Sequence, residues 1–396
     1  MRTGTDQIRR LLGGDALATR RGFVAGTAKL TGAGALALGG LGAATVGRAA
    51  LAQDGTPVAG PAAGEAAEPN EQMQELLDEL MRLNRVPPES QPPFNARQLP
   101  SIANAVQSLL SQRGEPTLEP VGNVEHIAIP TPNGEIIGRV YTPAGRAPFP
   151  VVVYYHGGGF VIANLDTYDA SCRALANAAA AVVVSVAYRQ APEAPFPAAV
   201  DDAYFAYQYI AENANLVGGD PAQIAVAGES AGGNLATVVC LLAVEQGGIL
   251  PVHQLLVYPL TTFAPDGDEE ESIETYALAM PLNAALIDYF GAFYLPDPSA
   301  ATDPNASPSL AADLSGLPPA TIIAAQIDPL LSQGEVYAAL LEEAGVDVQY
   351  TLYEGVTHEF FGTGAVVDEG QEAVAEAAAR LTESFEAAAS EATPTA

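Results

Sequence analysis

From about residue 121 onward, short runs rich in β-branched residues alternate with stretches of helical periodicity, and this alternation constrains the fold more than any other feature. Most of these runs show little polar alternation, which is typical of strands covered on both faces. The pattern predicts an α/β fold, in which a mostly parallel sheet is flanked by helices and the chemistry lies at the carboxyl ends of the strands. The predicted strands lie at residues 150–156, 181–188, 223–230, 253–260, 320–328 and 348–355.

Two helical patterns and a hairpin pattern precede the first of these strands. Residues 71–84 and 96–112 carry apolar side chains at helical spacing. Residues 126–143 contain two alternating runs and predict a hairpin that turns at Asn133-Gly134. The predicted organisation is a flexible linker over 53–70, a helical segment over 71–115, an α/β domain over 116–390 and a disordered tail over 391–396.

The first 52 residues have the features of an export signal. Residues 19–24 read TRRGFV, a twin-arginine pattern, and a weakly apolar run rich in Gly and Ala follows over 30–46. Ala50-Leu51-Ala52 then offers a small-residue cleavage site. We expect export by the twin-arginine route to the periplasm or the extracellular space, with no stable membrane insertion after cleavage. The alternative is an uncleaved anchor, for which the run is short.

The charge of the chain excludes several kinds of partner. Residues 1–52 hold seven of the 16 basic and two of the 47 acidic residues, which leaves nine basic and 45 acidic residues in the remainder. Such a field repels nucleic acid phosphates and anionic lipid surfaces. We therefore expect a small-molecule partner and no nucleic acid, with a homodimer as one alternative for the oligomeric state.

The cysteines and glycines do not indicate a cofactor. Cys172 and Cys240 are the only cysteines, and both lie in apolar helical patterns that predict buried free thiols. The three glycines after His156 resemble a phosphate-binding loop, but such a loop leads into a helix with a lysine nearby, and no lysine follows Lys29. We expect neither a cofactor nor a metal.

A G-x-S-x-G sequence between a strand and a helix is the strongest local motif. Gly228-Glu229-Ser230-Ala231-Gly232 follows the run QIAVA and precedes GNLATVV. Small residues are needed in so tight a turn, which exposes the serine at a strand end and at a helix N-terminus. Ser230 is therefore the candidate nucleophile.

A serine nucleophile needs a base, and the chain contains four histidines. His126 and His253 lie within or at the start of predicted strands, away from the carboxyl edge. His156 ends a strand but is followed at once by glycines. His358 lies in the loop after the last strand, at the edge where Ser230 is expected, and is the best candidate base.

The base needs a carboxylate to orient it. Asp328 closes the strand ATIIAAQI, lies between Ser230 and His358 in chain order and precedes Pro329. Glu354, four residues before the histidine, is the competing candidate. An aspartate before proline is often only a turn former, but its strand-end position favours Asp328.

Taken together, the motifs YHGGGF, VAYRQAPEAPFPAAVDD, GESAGG, IDPL and VTHEF resemble the hormone-sensitive lipase family of microbial carboxylesterases within the α/β-hydrolases. The resemblance extends over residues 72–385. It implies a serine esterase for short- to medium-chain acyl esters, with Ser230, Asp328 and His358 as the catalytic triad. It also implies an oxyanion hole formed by the amides of Gly157, Gly158 and Ala231, and a helical cap from residues 71–115 and about 263–300.

The chain departs from the usual family pattern at four positions. Glu229 replaces a usual Asp or Thr, Gln190 a Leu, Ala187 an Asp, and Glu359 a Gly. None of these changes removes a reacting group, so they bear on specificity and pH response. By the same resemblance His156 becomes a scaffold for the glycine loop rather than the base.

Other functions use the same fold. A noncatalytic binding protein usually lacks a triad member, and a dehydratase would carry a threonine nucleophile. A serine amidase or peptidase uses the same residue types and stays open. A true lipase would need an extended apolar face, which an acidic chain without tryptophan does not favour.

Overall fold

The computed structural model describes residues 66–392. The predicted export signal, most of the linker and the last four residues lie outside this range. Strands span Asn123–Thr131 (β1), Gly134–Thr142 (β2), Phe149–Tyr155 (β3), Val182–Val186 (β4), Gly219–Glu229 (β5), Gln254–Val257 (β6), Ala320–Ile327 (β7) and Val348–Thr357 (β8). Helices span Glu71–Leu83 (α1), Pro93–Ala96 (α2), Ile102–Arg113 (α3), Asp169–Ala178 (α4), Ala198–Glu212 (α5), Ala231–Gln246 (α6), Glu271–Thr275 (α7), Ala284–Tyr294 (α8), Leu331–Glu343 (α9) and Asp368–Ala392 (α10).

The eight strands of the described chain form one sheet in the order β1-β2-β4-β3-β5-β6-β7-β8. Strands β3 to β8 are parallel, whereas β1 pairs with β2, and β2 with β4, in antiparallel register. The strand order reverses between β4 and β5, on the two sides of β3. In open α/β sheets the crevice at such a reversal is where ligands bind. The predicted fold class is confirmed.

Alternate residues of each central strand enter two different cores. In β3, Val151 and Val153 pack with α5, α6, α8 and α9, while Val152 and Tyr154 pack with α4, α10 and the helices α1 and α3. This period-two division is what a strand buried on both faces requires. It explains why the strand sequences lack polar alternation.

The segment 71–115 and the segment 263–300 reach the carboxyl edge of the sheet from opposite faces. Helices α1 and α3 share a core with α10, and α8 belongs to the other core. The two segments meet where Tyr289 of α8 donates a hydrogen bond of 3.0 Å to the carbonyl of Gln91. Asn283 donates a longer bond of 3.4 Å to Glu89 nearby.

Three details differ from the sequence-based expectation. Thr131 pairs with Gly134, so the hairpin turns at Pro132-Asn133, one residue earlier than predicted. Residues 391 and 392 belong to α10 and not to a disordered tail. Asn70, the last residue of the predicted linker, is held in place because its amide donates to Gly355 and its side chain caps α1 at Met73.

Within residues 66–392, no helix combines the length and the apolar character needed to cross a bilayer.

Candidate active site

Ser230 occupies the bend between β5 and α6. Its φ of 58° and ψ of −118° belong to a region that residues with a Cβ rarely adopt. A Cβ at Gly228 would lie 2.1 Å from the carbonyl oxygen of Gly232, and a Cβ at Gly232 would lie 1.9 Å from that of Tyr155. The tight strand-turn-helix context expected from the sequence is therefore present, and the small residues are needed because helix and strand pass so close.

His358 and Asp328 are brought together by the last two strands. Ile327 at the end of β7 pairs with Thr357 at the end of β8, so the residues that follow lie side by side. Asp328 is fully buried, and its Oδ2 lies 2.6 Å from Nδ1 of His358. Glu354 has an exposed side chain on β8. The geometry favours Asp328 over Glu354 as the partner of the imidazole.

The acidic surroundings of His358 change its pKa. Burial lowers the pKa of the imidazole, but the charge and hydrogen bond of Asp328, together with the charges of Glu359 and Glu229, outweigh burial and raise it above the usual value. The negative groups stabilise the imidazolium form. A base in such a site would accept a proton more readily than a free histidine.

The end of β6 and the residues after it contact both Ser230 and His358. The amide of Ser230 donates to Val257 over 2.9 Å, and the carbonyl of Ser230 accepts from Leu260 over 3.2 Å. Tyr258 follows Val257 in the chain, and the centroid of its ring lies 4.5 Å from the centroid of the His358 imidazole. The structure thus places all three predicted triad residues at the carboxyl edge, after β5, β7 and β8.

Glu229 is buried beneath this edge and held by two phenols. The hydroxyls of Tyr154 and Tyr258 each donate to one of its carboxylate oxygens. Burial raises the pKa of Glu229, although these two hydrogen bonds and one from Ser171 act against that rise. Sequence reasoning marked Glu229 as a departure but missed both tyrosines. The available signal was a tyrosine near the carboxyl end of each strand beside β5.

The glycine loop, which we define as residues 156–163, follows β3 beside Ser230. Among the backbone hydrogen bonds of the described residues outside helices and strands, none uses the amide of Gly157 or Gly158. A Cβ at Gly157 would lie 2.3 Å from the hydroxyl of Tyr168. Ala231 opens α6, and the first amides of a helix lack intrahelical acceptors. Because Tyr155 before the loop pairs with Gly228 two residues before the serine, the glycine loop and the start of α6 follow neighbouring strands.

His156 is buried and its surroundings fit a structural role. Its ring stacks on Tyr188 at 4.4 Å between centroids, and the Tyr188 hydroxyl donates to the His156 carbonyl over 2.7 Å. Burial lowers the pKa of His156 to about 4, despite the contact with the Gly157 carbonyl. The ring is therefore neutral near pH 7 and secured in the scaffold of the glycine loop.

The other two histidines also lie away from the serine. His126, on the edge strand β1, accepts a hydrogen bond of 3.1 Å from Arg139. His253 precedes β6 at the opposite end of the sheet and lies 2.9 Å from the hydroxyls of Ser384 and Thr321. Burial lowers the pKa of His253 to about 3. These positions agree with the sequence-based prediction that neither His126 nor His253 is the base.

Glu359 adopts a conformation that explains why glycine is usual at its position. Its φ is 67°, in the left-handed region where a side chain is strained. The half-buried carboxylate accepts a hydrogen bond of 3.3 Å from Tyr168. Burial raises the pKa of Glu359, and the neighbouring His358 opposes that rise.

A cavity of about 560 Å³ lies beside Glu359, between the segments 71–115 and 263–300. This volume is within the range of small-molecule sites. Its apolar lining includes Leu80, Met81, Ile102, Ile162, Met280 and Leu286. Within residues 66–392 no three His, Cys, Asp or Glu side chains are grouped so that they could hold a metal ion. Cys172 and Cys240 are buried and free, as the sequence predicts.

Comparison with known proteins gives a consistent result. Residues 152–362 match a family model described as the alpha/beta hydrolase fold. The carboxylic ester hydrolase LipN of Mycobacterium tuberculosis is 43% identical over 244 residues, which are 60% of this chain and 64% of LipN. The chain thus spans slightly less than two thirds of the length of LipN. The carboxylesterase NlhH of the same species is 45% identical over 250 residues, 61% of this chain and 76% of NlhH.

Solved structures show the same likeness. A hyperthermophilic esterase from the archaeon Pyrobaculum calidifontis is 41% identical, with a TM-score of 0.70 over 78% of this chain and 97% of the esterase. A thermostable esterase from Pseudomonas putida is 30% identical, with a TM-score of 0.73 over 81% of this chain and 99% of that chain.

Proposed function

Because the chain belongs to the alpha/beta hydrolase family, within the hormone-sensitive lipase branch that its motifs resemble, we propose that it is a serine carboxylesterase for short- to medium-chain acyl esters. We propose that Ser230 forms the acyl-enzyme intermediate, with His358 as base and Asp328 as its partner. The observation that carries this proposal is the 2.6 Å contact between Asp328 and His358 at the sheet edge where Ser230 emerges.

In the first half of the reaction the Ser230 oxygen attacks the ester carbonyl while Nε2 of His358 removes its proton. Asp328 accepts a hydrogen bond from Nδ1–H of His358, keeps the imidazole in the tautomer that leaves Nε2 free, and stabilises the imidazolium. His358 then returns the proton to the alkoxy oxygen as the carbon-oxygen bond breaks, and the alcohol leaves.

The negative charge of the tetrahedral intermediate develops on the former carbonyl oxygen. We propose that the amides of Gly157, Gly158 and Ala231 donate hydrogen bonds to this oxygen. Donors that the fold already holds in place require no reorganisation during the reaction. Loss of one such donor in related chemistry costs about 3 to 4 kcal/mol. Water then attacks the acyl-enzyme with His358 again as base, and the carboxylic acid is released.

We propose that the segments 71–115 and 263–300 form a cap that limits substrate size. Two observations support this view: the contact between Gln91 and Tyr289, and the cavity of about 560 Å³ that both segments line together with Glu359, the residue after His358. A cavity of limited volume accepts a short acyl chain and obstructs a long one. Excluding water from it would also strengthen the electrostatic interactions at the serine.

A series of p-nitrophenyl esters tests the proposed substrate class. We expect kcat/KM to be highest among acetate, butyrate and octanoate and to fall by at least about tenfold for palmitate, the discrimination that a few misfitting methylene groups provide. The measurement is initial-rate kinetics on the purified chain at low and at high salt. A flat profile up to palmitate would contradict the short-to-medium preference.

The amidase alternative is tested with the same enzyme preparation. An aminoacyl p-nitroanilide releases a chromophore only if an amide bond is cleaved. We expect p-nitrophenyl acetate to be turned over and the anilide to be left intact. Anilide turnover at a comparable kcat/KM would favour an amidase or peptidase, and absence of both activities would favour a noncatalytic binding protein.

Glu359 gives a prediction for the pH profile. The groups around the imidazole are Asp328 after β7, Glu229 and Tyr258 from the neighbouring strand ends, and Glu359 itself. The carboxylate of Glu359 helps to raise the pKa of His358, so Glu359→Gln should lower that pKa. Since the base must be neutral to act, the acid limb of kcat/KM should move to lower pH.

The pH dependence of p-nitrophenyl acetate hydrolysis measures this shift. Glu354→Gln is the matched control, because it removes an exposed carboxylate from the same part of the chain. Its acid limb should coincide with that of the unchanged enzyme. An acid limb that stays in place or moves to higher pH in Glu359→Gln would show that its charge does not act on His358.

A further inference from the structure

Arg97 lies between the N-terminal helices and the glycine loop, at a position that no sequence motif marks. It directly follows α2, and its side chain is 21% exposed. The guanidinium reaches across to two segments of the α/β domain. Most of its donors have acceptors there, which is unusual for a surface arginine.

The hydrogen bonds of Arg97 are short and point to fixed acceptors. Nε donates to the carbonyl of Val161 over 2.7 Å, and Nη2 donates to the carbonyl of Ala191 over 2.7 Å. Nη1 and Nη2 also bind the two carboxylate oxygens of Glu193 at 2.9 and 2.7 Å. The planar guanidinium satisfies all four contacts only in one orientation.

Val161 belongs to the glycine loop, and hydrogen bonds link this part of the loop to Gly158. The amides of Val161 and Ile162 both donate to the carbonyl of Gly158, over 3.0 and 2.9 Å. A displacement of Val161 is therefore transmitted to Gly158, whose amide is one of the proposed oxyanion donors.

The other acceptors, Ala191 and Glu193, belong to a second segment, residues 189–193, which we call the supporting segment because it forms hydrogen bonds with the glycine loop. Ala191 donates its amide to the Phe160 carbonyl over 2.9 Å, and the Gln190 side chain donates to the Ile162 carbonyl over 2.6 Å. This segment is anchored in turn, since Arg189 forms a bidentate pair with the fully buried Asp202. Gln190, noted above as a departure, thus has a role in holding the loop.

Resting on the function proposed above, we propose that Arg97 is a positioning residue for the oxyanion hole. It ties the glycine loop at Val161 to the supporting segment at Ala191 and Glu193. By this contact the N-terminal segment contributes to the chemical step and not only to the wall of the cavity. Loosening the loop would weaken the hydrogen bonds that form in the transition state and leave ground-state binding of the ester nearly unchanged.

Arg97→Met tests the proposal, because methionine keeps much of the aliphatic stem and removes every donor. We expect kcat for p-nitrophenyl butyrate to fall between about 10-fold and about 100-fold, the loss typical of a displacement of about 1 Å at a reacting centre. KM should change little. Inhibition by a trifluoromethyl ketone should weaken by the same factor as kcat, because its serine adduct carries the oxyanion.

Arg113→Met is the matched control. Arg113 forms an arginine-glutamate contact of 2.8 Å with Glu75, but this pair joins α3 to α1 and lies within the N-terminal segment. Its loss should leave kcat unchanged. Glu193→Gln is a second variant at a 63% exposed site, which keeps the carbonyl acceptors of Arg97 and should fold normally. We expect a smaller loss of the same kind, in kcat and not in KM.

Three outcomes would overturn the proposal. The first is an unchanged kcat with a raised KM in Arg97→Met, which would limit Arg97 to shaping the cavity that it lines. The second is an equal loss of kcat in Arg97→Met and Arg113→Met. The third concerns the case in which Arg97→Met does not fold. An unchanged kcat in Glu193→Gln would then overturn the proposal. Failure of the proposed function is a separate result: the unchanged chain would then lack ester turnover, or turnover would survive Ser230→Ala.

Discussion

Ser230→Ala is expected to lower kcat for ester hydrolysis by about 10⁶-fold, the loss seen when a serine hydrolase is deprived of its nucleophile. Alanine keeps the Cβ that the backbone already tolerates at a φ of 58°, and it removes only the hydroxyl. The fold should therefore be retained. The measurement is kcat for p-nitrophenyl acetate, together with the thermal unfolding midpoint.

Mass spectrometry provides the complementary result. The unchanged chain, quenched during turnover of p-nitrophenyl acetate, should carry an acetyl group on the peptide that contains Ser230, and the variant should carry none. Substantial turnover by a well-folded Ser230→Ala variant, or an acyl group on another residue, would remove Ser230 from the mechanism.

Asp328→Asn is expected to lower kcat by about 10⁴-fold, as for the corresponding change in a serine protease. The shape of the side chain is preserved, but the carboxylate that accepts a hydrogen bond of 2.6 Å from Nδ1–H of His358 is lost. The imidazole can then adopt the wrong tautomer, and the imidazolium loses its nearest negative charge. KM should change much less than kcat, because Asp328 is fully buried behind the histidine.

Glu354→Gln separates the two carboxylate candidates. Glu354 is exposed on β8, so its substitution should leave kcat close to that of the unchanged chain. If Glu354→Gln lost activity while Asp328→Asn retained it, the assignment of the two carboxylates would be reversed. A stability measurement on Asp328→Asn is needed beside the kinetics, since the substitution alters a buried hydrogen bond.

Much of the fold was predictable because its signals are local. Continuous apolar runs identified the six parallel strands β3 to β8, and the alternating runs around residues 126–143 identified the antiparallel hairpin. The strand order was not predictable. β4 lies between β2 and β3 in the sheet, and the direction of the crossover from β3 to β4 is not indicated by any local sequence pattern. The turn of the hairpin was predicted one residue late, since its register depends on pairing along the whole strand.

Some residues of the candidate site could likewise be predicted from local sequence, and others could not. Ser230 could be placed because its turn requires small residues on both sides, and His358 and Asp328 because the ends of parallel strands meet at one edge. The phenols around Glu229 and the acceptors of Arg97 could not, because these contacts join residues about 30 to more than 90 positions apart. Only packing brings such residues within hydrogen-bonding distance.

The sequence by itself therefore determined the class of fold and the order of its elements, and it indicated which three residues to test as a triad. Periodicity and turn chemistry act over a few residues, and the chain displays them directly. The tertiary structure alone decided that Asp328 and not Glu354 faces the imidazole, that Glu229 is held by Tyr154 and Tyr258, and that Arg97 secures the glycine loop. These are contacts between distant segments, and their existence depends on how the sheet and the two segments over its carboxyl edge pack together.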